Sequence, residues 1–70
     1  MTPEEKKRTI IVLRGVASAL GQGTYFDAPW GDIDELSAHS ELAETIIETL
    51  TLPLELKTEG NALRLNRIDA

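Results

Sequence analysis

"TLPLELKTEGNALRL", residues 51–65, is where the hydrophobic period of the chain changes from that of a helix to that of a strand. Leu52, Leu54 and Leu56 alternate with Pro53 and Glu55, Leu63 and Leu65 alternate with Arg64 and Asn66, and Thr58-Glu59-Gly60-Asn61 between them has the composition of a turn. Successive side chains of a strand point to opposite faces. A hairpin that sets Leu56 against Leu63 and Leu54 against Leu65 therefore gathers four leucines on one face and puts Glu55 opposite Arg64. A two-stranded hairpin with one apolar face is marginal in water and needs a cover, so the residues before Pro53 must supply it.

Those residues read as helices. Thr2-Pro3-Glu4-Glu5 is a helix start: Thr2 can cap, Pro3 suits the first helical position, and two carboxylates lie at the positive end of the helix dipole. The first helix is expected from about Pro3 to Leu20, ended by Gly21 and Gly23. Ile10, Leu13, Val16, Ala17 and Leu20 share one face of it, with Ile11 and Val12 outside that stripe. The extra apolar pair implies a helix covered on more than one side, or else a second contact surface. A second helical pattern starts at Asp32, whose spacing to Glu35 matches a capping box. Continued to Leu50, it aligns Leu36, Ala43, Ile46, Ile47 and Leu50 on one face and Asp34, Glu41, Glu44 and Glu48 on the other. Ser40-Glu41 could instead start a new helix, so residues 32–50 remain open between one helix and two.

The expected fold is thus a single α+β domain over residues 1–70, with two or three helices followed by a C-terminal β-hairpin. In its order of elements, the run from Gly31 to Ile68 resembles the winged helix-turn-helix superfamily. Ile33 and Leu36 sit where the first helix of the pair packs inward, Ile46, Ile47 and Leu50 where the second does, and "KTEGNALRL" (57–65) reads as the wing. The resemblance implies that Tyr25 and Phe26 form a short strand that can join the hairpin as a third. It also implies a DNA-binding role, in which Lys6, Lys7 and Arg14 of the first helix and Lys57, Arg64 and Arg67 of the wing would contact phosphates if both groups fold onto one side.

Charge points elsewhere. The net charge of −5 is unevenly laid out: from Gly15 to Leu56 there is no Lys or Arg, while Asp27, Asp32, Asp34, Glu35, Glu41, Glu44, Glu48 and Glu55 all fall inside that stretch. The segment in the position of a recognition helix, about Ser40 to Leu50, carries three carboxylates and no Arg, Lys, Asn or Gln to read bases. Phosphates would be repelled, reversing the term that dominates nucleic-acid affinity. The expected function is therefore that of a small, acidic, non-enzymatic regulatory or accessory module that binds a basic protein surface through Asp34, Glu41, Glu44 and Glu48. One version is an inhibitor that mimics nucleic-acid charge, and the alternative is the winged-helix DNA-binding regulator. Tyr25 and Trp30 are candidate contacts in the stretch "GQGTYFDAPWGDIDE" (21–35), which holds every aromatic residue of the chain. Its main role reads as structural, with Trp30 packing at the start of the second helix.

Other chemistry finds little footing. With no cysteine there are no disulfides, thiolate ligands or thiol nucleophiles. Asp27, Asp32, Asp34 and Glu35 lack EF-hand spacing, so no metal or cofactor is expected. His39, the single histidine, falls on the apolar side of its helix, and Ser18, Ser37 and Ser40 show no base-and-orienter pattern. The apolar run Ile10–Leu13 is too short for a signal sequence or membrane span, so a cytoplasmic protein is expected. A chain of 70 residues buries only about 60% of its unfolded surface, a margin that makes a partner or a homodimer an expectation as well.

Overall fold

The computed structural model describes residues 1–26 and 29–68, with the backbone alone at Tyr25 and Phe26. The order is α1 (Pro3–Gln22), β1 (Thr24–Phe26), α2 (Ile33–Leu50), β2 (Leu54–Glu59) and β3 (Ala62–Arg67). The strands form one antiparallel sheet in the order β1-β3-β2, and α1 packs against β1, β3 and α2. The fold is α+β.

Both helices begin as their cap residues dictate. Thr2 is extended (φ −75°, ψ 159°) and its hydroxyl accepts the Glu5 N–H at 3.2 Å, with Pro3 in the first turn. Asp32 caps α2, but its carboxylate accepts the N–H of Asp34 at 2.9 Å rather than that of Glu35, the donor a capping box would use. Residues 33–50 form one unbroken helix, because nothing between Leu36 and Ile46 breaks it: the segment contains neither Gly nor Pro.

The C-termini differ. Gly23 adopts the left-handed conformation (φ 85°) and donates its N–H to the Ala19 carbonyl at 2.8 Å. At the end of α2 the same conformation falls to Thr51 (φ 52°) in a Schellman arrangement, with Leu52 N–H to Ile47 O at 3.0 Å and Thr51 N–H to Glu48 O at 3.3 Å. A β-branched residue is strained there by about 1–2 kcal/mol. Thr51→Gly is therefore expected to stabilise the domain by about 0.5–1 kcal/mol after allowing for glycine's greater freedom in the unfolded chain. A rise in the urea midpoint checks this, and a fall would show that the Thr51 side chain compensates its strain.

The core joins Val12, Val16 and Ala19 of α1, Leu36 and Ala43 of α2, and Leu54, Leu63 and Leu65 of the sheet, with Leu20, Trp30, Ile46, Ile47, Leu52 and Leu56 packed around it. On α1 the expected face is corrected. Val12, Gly15, Val16 and Ala19 are buried, whereas Ile10 (43% exposed), Leu13 (47%) and Ala17 face outward. The stripe centred on Val12 prevails because Gly15 and Ala19 let the helix approach its neighbours closely, whereas bulk at the same positions would hold it away. On α2, Leu36 and Ala43 are buried and Ile46 and Ile47 half-buried, but Leu50, in the last turn, is 61% exposed.

The hairpin register is also corrected. Leu56 pairs with Leu65 and Thr58 with Leu63, Leu54 faces Arg67, Glu55 faces Asn66, and Lys57 faces Arg64. This pairing differs by two residues from the expected one, so the parity holds and all four leucines keep a common face. The shift arises at the turn. The turn is centred on Gly60-Asn61, one residue later than the expected Glu59-Gly60, and only Gly60 has positive φ (62°), the pattern of a two-residue II′ turn whose twist matches that of the strands.

Candidate functional site

The acidic face of α2 is built by helical spacing on an uninterrupted helix. Asp34, Glu41 and Glu48 recur at seven-residue intervals, with Glu44 beside them, and all four are exposed. From Ile33 to Leu50 the helix holds five carboxylates and no Lys or Arg. Among the described residues, Lys57 pairs with Glu55 at 3.0 Å and Arg64 with Glu59 at 3.1 Å, both within the sheet, and no ion pair is made by the α2 row, although Lys7 and Arg8 face Asp34 and Glu35 across a groove. The segment Glu41 to Glu48 spans two turns, about 10.5 Å of helix axis. Glu41 and Glu44, and Glu44 and Glu48, are like charges at i,i+3 and i,i+4, a spacing that weakens a helix.

The basic residues do not converge on one surface: Lys57 and Arg64 are cross-strand neighbours on one face of the sheet, and α1 packs on the other. Lys7 and Arg14 are exposed on α1. Lys57 and Arg64 alternate with the core leucines of β2 and β3 and so leave the sheet on the face away from α1. Arg67 has a different role: its Nη1 donates to the Leu20 carbonyl at 2.7 Å and its backbone N–H to Gly23 O at 2.7 Å. A cation from β3 thereby satisfies an open carbonyl at the negative end of α1, which has no basic residue in its own last turn. Arg67→Ala is expected to destabilise the domain by about 1–2 kcal/mol, measurable as a lower urea midpoint with an unchanged m-value. A loss below about 0.3 kcal/mol would reduce this bond to a surface contact.

Trp30 is a clamp. Its ring stacks on His39 with centroids 4.0 Å apart and planes 23° from parallel. Its backbone N–H donates to Asn61 O at 2.8 Å, and its backbone carbonyl accepts from Asn61 Nδ2 at 2.5 Å, tying the segment before α2 to the hairpin turn. Sequence reasoning placed Trp30 at the α2 start but missed the partner, which lies two turns into the helix. His39 is 2% exposed and its Nδ1 lies 2.8 Å from the Glu35 carbonyl, so Nδ1 carries the hydrogen because a carbonyl only accepts. Nε2 has no protein partner among the described residues. His39 also lines an open groove of about 410 Å³ between the first turns of the two helices, with Lys7 and Arg8 on one wall and Asp34 and Glu35 on the other. The Tyr25 side chain and Asp27 lie outside what the structure describes.

Among the described residues no group of three or more His, Asp or Glu is placed to hold a metal ion. No helix among them is long and apolar enough to cross a membrane. Comparison of the chain with protein-family models, with curated proteins and with solved structures finds no match.

Proposed function

We propose that this chain is a small, non-enzymatic accessory or regulatory module that docks a basic protein surface on the acidic face of α2. The observation that carries this reading is the exposed, unpaired row Asp34, Glu41, Glu44 and Glu48 on a helix with no cation of its own. A helix shaped by stability alone gains from Lys or Arg four residues after Glu, and α2 forgoes every such pair. Regular carboxylates on a rigid rod also suit an inhibitor that presents the charge of a nucleic-acid backbone to a nucleic-acid-binding protein, the more specific form of the proposal. A winged-helix-like role on DNA finds less support, since Lys57 and Arg64 are paired with glutamates and Arg67 bonds to the end of α1.

Two titrations test the reading. A labelled alanine-based helix with lysine at seven-residue intervals is expected to bind saturably at low salt and weaken as salt rises. Labelled random-sequence duplex DNA is expected not to bind at either salt. Saturable DNA binding, with no binding of the basic helix, would transfer the function to the basic residues.

A further inference from the structure

We propose that the basic surface docked by α2 is α1 of a second copy of this chain. This rests on the docking role of α2 and supplies its partner. From Lys6 to Gln22, α1 contains no carboxylate, and from Ile33 to Leu50, α2 contains no Lys or Arg. Beyond the first turn of α1, where Glu4 and Glu5 lie, the two helices thus carry opposite charge, and no ion pair joins them within one molecule among the described residues. The outward face of α1 carries Lys6, Lys7, Ile10, Leu13, Arg14 and Ala17, all exposed.

Spacing matches as well as sign. Lys7 and Arg14 are seven residues apart, and so are Glu41 and Glu48. On helices of equal rise both pairs span about 10.5 Å, so two ion pairs form at once whether the helices run parallel or antiparallel. Ile10 and Leu13 lie between the two cations along α1. Packed against the partner helix, they exclude water from the flanking pairs and raise their strength above that of isolated surface pairs.

The same residues argue against α1 pairing with α1. That arrangement would bury the apolar strip but set Lys6, Lys7 and Arg14 against their own copies, a like-charge juxtaposition. Placing α1 on α2 of the next molecule covers the strip and sets unlike charges against each other. Every copy carries both surfaces, so two copies can bind reciprocally about a two-fold axis.

Sedimentation velocity over a range of concentrations at low and at moderate salt tests this, with two charge-reversed proteins, Lys7→Glu/Arg14→Glu and Glu41→Lys/Glu48→Lys. All four positions are exposed, and circular dichroism checks that each protein keeps its helices. The wild type is expected to self-associate at low salt and dissociate as salt rises. Each reversed protein alone is expected to be a monomer, since its two surfaces then carry the same sign. An equal mixture of the two is expected to associate again, because each α1 meets an α2 of opposite charge. A wild type that stays monomeric at about 1 mM and low salt, a concentration at which contacts worth about 4 kcal/mol are half-formed, would overturn the self-partner. Association that survives in either reversed protein alone, or a mixture that fails to associate, would overturn it too. Binding of the lysine helix by a monomeric wild type would leave the docking role of α2 standing without the self-partner, whereas loss of both would remove the docking role itself.

Discussion

Leu65→Ala is expected to remove about half of this domain's stability at 25 °C. Among the described residues Leu65 is the one large side chain that is fully buried, at 1% exposure, and it sits on β3, the central strand, opposite Leu56 of β2 and backbone-paired with β1 at position 25. It belongs to the cluster that joins α1, α2 and the sheet, so its removal leaves a cavity that no single element can close. Leu→Ala in such a site costs about 2–5 kcal/mol, and a domain of this size holds about 4–10 kcal/mol in total. Urea unfolding followed by circular dichroism should show the midpoint falling by about half. Leu13→Ala, at a position 47% exposed, should cost under about 0.5 kcal/mol in the same experiment. Equal losses at the two sites would mean that α1 is rotated from the orientation described.

Replacing Glu41, Glu44 and Glu48 together with glutamine is expected to move binding and stability in opposite directions. Three exposed ion pairs with a basic partner are worth about 0.5 kcal/mol each, so affinity for the lysine helix should fall about tenfold or more. The fold should gain by about 0.5–1 kcal/mol, since two like-charge contacts disappear and one carboxylate leaves the negative end of α2. Anisotropy titration and urea unfolding of the same preparation read both quantities. Unchanged affinity would retire the acidic face as a docking surface. Lower stability would show that these glutamates hold the helix in some way their exposure does not reveal.

Much of the local structure was legible because short-range chemistry decides it. Thr2 and Asp32 start their helices, Gly23 ends the first, Pro53 separates helix from strand, and the alternating leucines put the apolar face of the hairpin on one side. The acidic row was equally legible: helical spacing aligns Asp34, Glu41 and Glu48 once the helix is unbroken, and all three are exposed.

What tertiary structure alone decided were choices among locally equivalent alternatives. Ile10 to Leu13 are four consecutive apolar residues, so periodicity fits two stripes on α1 nearly as well, and close packing at Gly15 and Ala19 selects the one centred on Val12. Hairpin registers two residues apart leave the same side chains inward, and the tight Gly60-Asn61 turn chooses between them. The stack of Trp30 on His39 and the bond from Arg67 to Leu20 join residues far apart in sequence, which no local pattern encodes. Charge and period along a segment are properties the chain carries by itself, whereas the choice of buried face depends on the shape of what packs against it.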